Sequence, residues 1–237
     1  SIADDTLTAT GDEGTSCTVT VTKAQSVNHN EATSAGATIT VINRAITVTA
    51  ISVRKNYGDA DPDLTYTITS GALVVGDALD GSLGRVSGES VGTYAINQGA
   101  LANANYTITY VGADLTVDPR PIMVTAANKT KVFGQIDPQI TYEITSGNLI
   151  GSDTLSGSIS RDPGENIGSY VIGRGDLAHG SYAITFVDAA LSVTGADQSG
   201  FTLSAVSTSI TYGDSTTLST SGGNGDGAVT YAVTDGT

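Results

Sequence analysis

Alternating aspartates are the first candidates for chemistry in the chain. Asp59, Asp61 and Asp63 could offer carboxylate oxygens to one Ca²⁺ ion. A similar segment at residues 135–139 has Gln, Asp and Gln at the matching places. A shared calcium site would need the charge in both segments, so the pattern favours a turn in which Asp bonds its own backbone. We therefore expect no cofactor, with Ca²⁺ as the only candidate.

Residues for catalysis are sparse. His29 and His179 are the only histidines, and neither has a Cys or His neighbour at zinc spacing. The sequence contains no Gly-x-Ser-x-Gly elbow and no phosphate-binding loop. The single cysteine, Cys17, cannot form an internal disulfide; we expect a small half-buried residue, or a bridge to another chain. The sequence thus predicts a protein that is not an enzyme.

Two sets of charged residues have structural interpretations. Arg85 and Glu89 recur as Arg161 and Glu165, which predicts one stabilising charge pair in each of two repeats. Lysines could form amide crosslinks with Asn or Asp where a catalytic acid lies beside them; the candidates are Lys23, Lys55, Lys129 and Lys131.

The charge balance excludes several partners. Ten Lys and Arg face 24 Asp and Glu, for a net charge of −14. Because no basic stripe exists to neutralise phosphates, nucleic acid is excluded. The sequence has no apolar run long enough to cross a bilayer, so we expect no membrane insertion. An acidic surface suits a soluble extracellular chain.

An ungapped repeat organises the middle of the chain. Residues 46–117 match residues 122–193 at an offset of 76 (122 − 46). Apolar and polar residues alternate with a period of two, as in Ile46-Thr-Val-Thr-Ala50, between turns rich in Gly, Asn, Asp and Pro. This pattern predicts an all-β protein of tandem small antiparallel domains. The segment Leu73–Leu79 fits either a short crossover turn or a tight loop.

Several spaced motifs recur in the repeat: residues 55–62 (Lys-Asn-Tyr-Gly-Asp-Ala-Asp-Pro), Gly92-Thr-Tyr94 and Asn105-Tyr106, and in the second copy residues 131–138. With these motifs the repeat resembles the MBG-type modules of bacterial surface proteins and adhesins. The resemblance implies a mostly-β, β-grasp-like fold and an extracellular location on the bacterial cell surface.

Segments such as Ile210-Thr-Tyr-Gly-Asp214 in the C-terminal flank and Cys17-Thr-Val-Thr-Val-Thr-Lys23 in the N-terminal flank resemble the two halves of a bacterial Ig-like domain, in inverted order. Residues 197–237 resemble its opening strands and residues 1–45 its closing strands. The predicted domains are therefore residues 1–45, 46–120, 121–196 and 197–237. Members of the Ig-like family often carry two cysteines here, whereas this chain has only Cys17.

Half a β-sandwich exposes open strand edges and an unburied apolar face. We therefore expect residues 197–237 of one unit to pair with residues 1–45 of another, either in a separate copy or in an adjacent repeat of one polypeptide. The alternative is that the flanks are pieces of two separate domains. The predicted interface comprises Thr211, Tyr212, Val229, Tyr231, Val233, Leu7, Val19, Val21, Ile39 and Val41.

Two functions remain open from the sequence. The first is a structural subunit or repeat unit of an extracellular filament or giant adhesin stalk, joined head-to-tail. The second is a surface adhesin module that binds a glycan or a host protein. Duplicated tyrosines such as Tyr66, Tyr94 and Tyr106 could form a stacking platform for sugars, although tyrosines in strand registers usually pack in or near the core.

Overall fold

A computed structural model of the chain describes residues 2–3, 6–7, 14–223 and 225–234. Every regular element in these residues is a β-strand, which confirms the all-β prediction. The chain divides into two compact units. The first runs to Ile122 and also includes Leu149–Thr154 and His179–Ile184; the second comprises Met123–Asn148, Leu155–Ala178 and the residues from Thr185 onward.

The N-terminal flank forms small two-stranded sheets. Its strands are β1 (Ile2–Ala3), β2 (Thr6–Leu7), β3 (Ser16–Val19), β4 (Thr22–Lys23), β5 (Ala32–Thr33) and β6 (Ala37–Thr40). The antiparallel pairs are β1–β2, β3–β6 and β4–β5. None of the residues described in β3 to β6 is buried.

The first repeat contains two mixed sheets. Its strands are β7 (Arg44–Ala50), β8 (Val53–Asn56), β9 (Tyr66–Ser70), β10 (Gly84–Arg85), β11 (Gly92–Asn97), β12 (Tyr106–Val111) and β13 (Ala113–Asp118). One sheet has the order β12-β7-β9 and the other β10-β11-β13-β8. Each sheet includes one parallel pair, β12 with β7 and β13 with β8.

Two continuous stretches of chain cross between these sheets. Strand β7 lies in one sheet and β8, which follows it, lies in the other; β12 and β13 do the same on either side of Gly112. Alternate residues of β7 are buried, as the period of two predicts. The core lies between the sheets and contains Ile46, Val48, Ala50, Leu83, Ile96, Leu101, Tyr106 and Leu115.

The second repeat has the same strands, each 76 residues later. They are β14 (Arg120–Ala126), β15 (Lys129–Val132), β16 (Tyr142–Ser146), β17 (Ser160–Arg161), β18 (Gly168–Gly173), β19 (Tyr182–Val187) and β20 (Ala189–Thr194). Its sheets have the orders β16-β14-β19 and β15-β20-β18-β17. The buried positions also repeat, at Ile122, Val124, Ala126, Ile159, Ile172, Leu177, Tyr182 and Leu191.

The C-terminal flank contributes one antiparallel pair, β21 (Thr202–Ala205) with β22 (Leu218–Ser221). Both strands expose most of their residues. The segment Leu73–Leu79 contains no helix or strand; it includes a short turn in which the amide of Asp77 donates to the carbonyl of Val74 at 3.0 Å.

Candidate functional site

A buried lysine lies at the centre of a charged cluster in the first repeat. Strand β8 alternates, and this places Lys55 inward with its side chain only 4% exposed. Its Nζ donates to Asp61 Oδ1 at 2.6 Å, to Glu89 Oε2 and to the carbonyl of Asp59 at 3.1 Å. The ammonium group is therefore fully occupied, as a buried charge requires.

Arg85 closes the cluster into a ring. Its Nε donates to Asp61 Oδ2 at 2.6 Å and its Nη2 donates to Glu89 Oε1, so each carboxylate bridges Lys55 and Arg85. The remaining Nη1 donates to the carbonyl of Gly88 at 2.7 Å. The ring of Tyr94 lies 5.6 Å from the guanidinium carbon, within cation–π range. We call Lys55, Asp61, Arg85 and Glu89 the ion-pair ring.

The second repeat contains the same ion-pair ring, formed by Lys131, Asp137, Arg161 and Glu165. Lys131 Nζ donates to Asp137 Oδ1 at 2.6 Å, and Arg161 Nε donates to Asp137 Oδ2 at 2.7 Å. Glu165 accepts from both cations. The predicted pairs Arg85–Glu89 and Arg161–Glu165 are thus present as parts of larger networks.

The ring holds its members in their charged forms. Hydrogen bonds from Arg85 and Lys55 lower the pKa of Asp61, and those from Lys55 and Arg85 lower the pKa of Glu89. Burial by itself lowers the pKa of Lys55, but hydrogen bonds to Asp61 and Glu89 outweigh it and the pKa is raised. A proton-transfer site would need one group with its pKa moved toward neutrality, and no member of the ring meets that requirement.

The three alternating aspartates do not form one site. Asp61 belongs to the ion-pair ring, Asp59 Oδ1 accepts from Arg120 Nη1 at 2.7 Å, and Asp63 is exposed. Across the described residues, no group of three or more His, Cys, Asp or Glu side chains could hold a metal ion.

The lysine crosslink candidates divide into two kinds. Lys23 is exposed and Lys129 half-buried, whereas Lys55 and Lys131 each contact an Asp and a Glu. Amide formation, however, needs a neutral amine and a protonated acid, and the ring favours the opposite charge states of both groups.

A second polar cluster surrounds the loop after β8. The ring of Tyr57 meets the ring of Tyr182 edge-on, with centroids 5.7 Å apart. A hydrogen bond to Asp153 raises the pKa of Tyr57. The hydroxyl of Tyr182 donates to the same carboxylate at 2.6 Å and accepts from the amide of Ile150 at 2.7 Å. All these residues belong to the first compact unit.

An arginine of β14 forms hydrogen bonds with the same loop. Arg120 Nη1 donates to the carbonyl of Tyr57 at 3.2 Å and to Asp59 Oδ1. Gly58 between them has a φ of +82°, a conformation that glycine adopts without strain. A Cβ at Gly58 would lie 2.5 Å from Ile150 Cγ1, so the backbone itself packs on Ile150. We call Tyr57–Asp59 the Tyr-Gly turn, and Arg120, Ile150, Asp153 and Tyr182 the Arg120 face.

Other candidates lie apart from these clusters. Cys17 is exposed on β3 rather than half-buried, because that two-stranded sheet has no covering layer in the described residues. The ring of His179 lies 4.9 Å from that of Tyr182, whereas His29 is exposed. Of the predicted interface residues, Val19 and Val41 are half-buried; the exposed ones are Leu7, Val21, Ile39, Thr211, Tyr212, Val229, Tyr231 and Val233.

Sequence reasoning recognised only part of these clusters. It paired Arg85 with Glu89 but missed Lys55 and Asp61 as members of the ring, although both recur 76 residues later as Lys131 and Asp137. The identical charged residues at matching positions of the two repeats are the sequence signal that indicates their membership in the ring.

Two all-β repeats, each holding the same ion-pair ring, define a tandem-module protein. A sequence model of the MBG domain (YGX type) matches residues 46–116 and 122–192, which is more than half of the chain. The chain therefore belongs to the MBG domain family. No curated protein matches it.

MBG domains are structural modules of bacterial surface proteins and are not a known enzyme family. The part of the chain that the structure describes has no helix with the length and apolarity of a membrane span.

Removing the buried charge from the ring should destabilise the first repeat. For Lys55→Met we expect a loss of about 1–2 kcal/mol in the free energy of unfolding, because the variant loses both ion pairs of the lysine. The loss stays this small because the side chains of Asp61 and Glu89 are 40% and 62% exposed and remain partly solvated. Urea unfolding measures this loss, with the exposed Lys23→Met as the control. Equal stability of the two variants would contradict a stabilising ring.

The ring should also set a pH window for stability. The lowered pKa values of Asp61 and Glu89 mean that their contribution is present above their unfolded values of about 3.9 and 4.3 and is lost as pH falls through the lower folded values. The raised pKa of Lys55 means that its contribution is present below about 10.4 and is lost as pH rises through the higher folded value. The free energy of unfolding, measured across pH, should therefore be highest between these limits and fall on either side. In Lys55→Met the fall on either side should be smaller. An unchanged profile in the variant would count against the ring.

The intact mass of the purified chain should equal that of its unmodified sequence. Condensation of Lys55 with Asp61, or of Lys131 with Asp137, would expel one water per bond, but both partners are held in the charged forms that resist it. Mass spectrometry of the denatured chain decides the matter. A deficit of one or two waters would show that crosslinks form.

Gly58→Ala should cost more stability than Gly134→Ala. Both glycines have a φ of +82°, so the backbone strain is matched, but an added Cβ meets Ile150 only at Gly58. We expect Gly58→Ala to lose about 1–3 kcal/mol more in chemical unfolding. In an Ile150→Ala background, the difference in stability loss between Gly58→Ala and Gly134→Ala should become smaller. Equal losses for the two glycine variants would show that the contact with Ile150 carries no energy.

Proposed function

We propose that the chain is a structural unit of an extracellular bacterial filament or of a giant adhesin stalk. Neighbouring units join head-to-tail, as residues 197–237 of one unit and residues 1–45 of the next complete one Ig-like domain. The observation that carries the proposal is the set of large apolar side chains that both flanks expose on and beside their two-stranded sheets.

The C-terminal flank exposes several large apolar side chains around one groove. An open groove of about 320 Å³ lies beside β21 and β22, and its apolar lining comprises Phe201, Leu203, Leu218, Val229, Tyr231 and Val233. All six side chains are exposed. A two-stranded sheet is marginally stable in water, so additional strands over this groove would supply the missing core.

The N-terminal flank offers complementary strands. In β3 and β6, Cys17 pairs with Ile39, and Ile39 is exposed together with Val21 nearby. The strands have free edges in the described residues, since each sheet here has only two members. Strand addition between copies uses main-chain hydrogen bonds along such edges and apolar side chains across the sheet.

The contacts would be heterologous, because one end of a unit meets the opposite end of the next. Contacts of this kind generate an open filament unless the rotation closes a ring. The net charge of −14 keeps an extended chain soluble and opposes lateral aggregation. Reach and mechanical continuity are the functions that such an assembly serves.

The second hypothesis, binding of a glycan or a host protein, would be favoured by a contiguous exposed aromatic or apolar patch in both modules, and the candidate aromatic patch was the set of duplicated tyrosines. Tyr106 and Tyr182 are buried, and Tyr66 and Tyr94 are half-buried. The hydroxyl of Tyr94 donates to the carbonyl of Ser90 at 2.7 Å. These rings pack within the modules, so we favour the structural role.

The full chain should self-associate as its concentration rises. Sedimentation velocity should show growing species, and electron microscopy should show linear particles. Val229→Asp should suppress association because it places a charge in the groove. Val171→Asp is the matched control, since Val171 in β18 is 45% exposed and Val229 is 44% exposed. A wild-type chain that stays monomeric, or two variants that assemble equally, would refute the proposal.

A further inference from the structure

The C-terminal flank contains a second exposed copy of the Tyr-Gly turn. Tyr212-Gly213-Asp214 repeats the sequence Tyr57-Gly58-Asp59. The glycine φ values are +92° and +82°. In both turns the aspartate amide donates to the carbonyl of the residue before the tyrosine, at 2.9 and 3.0 Å. The two turns therefore share a left-handed glycine and the hydrogen bond that closes the turn.

The two turns differ in their surroundings. Gly58 packs on Ile150, whereas a Cβ at Gly213 would meet no atom within 4 Å. The side chain of Tyr212 is fully exposed. The flank thus presents, without a neighbour, the element that contacts the Arg120 face elsewhere in the chain.

The first repeat carries a counterpart of the Arg120 face. Its residues stand 76 positions earlier, and we call them the Arg44 face: Arg44, Val74, Asp77 and Tyr106. The hydroxyl of Tyr106 donates to Asp77 Oδ2 at 2.6 Å and accepts from the amide of Val74 at 2.8 Å. These bonds repeat those of Tyr182 with Asp153 and Ile150.

The Arg44 face is open in the structure. Arg44 and Asp77 are exposed and Val74 is 52% exposed, whereas Tyr106 is buried beneath them. The face therefore has side chains that correspond to those of the Arg120 face, arranged by the same hydrogen bonds, and three of its four members are exposed.

We infer that the Tyr212–Asp214 turn of one unit docks on the Arg44 face of the next unit. Tyr212 lies against Tyr106 and donates its hydroxyl to Asp77, and Asp214 pairs with Arg44. The inference rests on the proposed head-to-tail order. In that order the domain that contains Tyr212 comes directly before the first repeat of the next unit. In the same way, the first repeat, which contains Tyr57, comes directly before the second repeat.

The third such turn in the chain fits the Arg44 face less well. Phe133-Gly134-Gln135 has the same glycine φ of +82°, but it has no hydroxyl for Asp77 and no carboxylate for Arg44. Charge and hydrogen-bond complementarity therefore select the Tyr212–Asp214 turn as the occupant.

A charge-swap series on the full chain tests the docking. We expect Arg44→Asp and Asp214→Arg each to weaken self-association about tenfold in sedimentation experiments, because each places like charges together. The double variant, which restores an opposite pair, should return to within about threefold of the wild type. Asp226→Arg, an exposed change in the same flank, is the control for net charge and should differ little from the wild type.

The outcomes separate this inference from the proposed function. If the single reversals leave association unchanged while Val229→Asp abolishes it, the docking is wrong and the strand completion stands. If the wild-type chain does not associate at all, the proposed function fails and the docking fails with it. If the double variant is as weak as the singles, the Arg44–Asp214 pairing is wrong. Circular dichroism of each variant verifies that it is folded.

Discussion

A glycine with positive φ allows the Tyr-Gly turn to approach its neighbour closely. At Gly58 the backbone lies so near Ile150 that a methyl group would collide with it. This approach sets the ring of Tyr57 against Tyr182 and Asp59 against Arg120. Any other residue at this position would destabilise the turn in two ways: by backbone strain at positive φ and by overlap of its Cβ with Ile150. The contact between the turn and the Arg120 face therefore depends on a residue that has no side chain of its own.

The ion-pair ring has a different role, which is to add stability to a module whose apolar core is small. A unit of about 75 residues buries a modest share of its surface, so its apolar core has little stability to spare. Lys55 is buried because β8 alternates, and its charge is matched by Asp61 and Glu89, which also bond Arg85. The carboxylates remain partly exposed, which limits the desolvation cost of the network. Its geometry stabilises a fold and leaves no group free for chemistry.

The sequence predicted the strands and the family well but predicted their partners poorly. Alternation with a period of two identifies which face of β7 is buried, and the repeat identifies the matching strand β14. Alternation does not say which strand lies alongside, so the parallel pairing of β12 with β7 was missed. The sequence marks Lys55 only as a crosslink candidate, because Glu89, which completes its charge pairing, lies 34 residues away in the sequence. Contacts of that kind depend on the tertiary arrangement, which a local pattern does not contain.

Hydrogen–deuterium exchange of the full chain at increasing concentration tests the central claim, that flanks of neighbouring units complete each other. We predict that amides in β3, β6, β21 and β22 become protected as concentration rises, together with those near Asp214 and Val74. The core strands of both repeats should be protected at every concentration, because their hydrogen bonds lie within one chain. Flank amides that exchange at the same fast rate at all concentrations, beside protected repeats, would contradict the account.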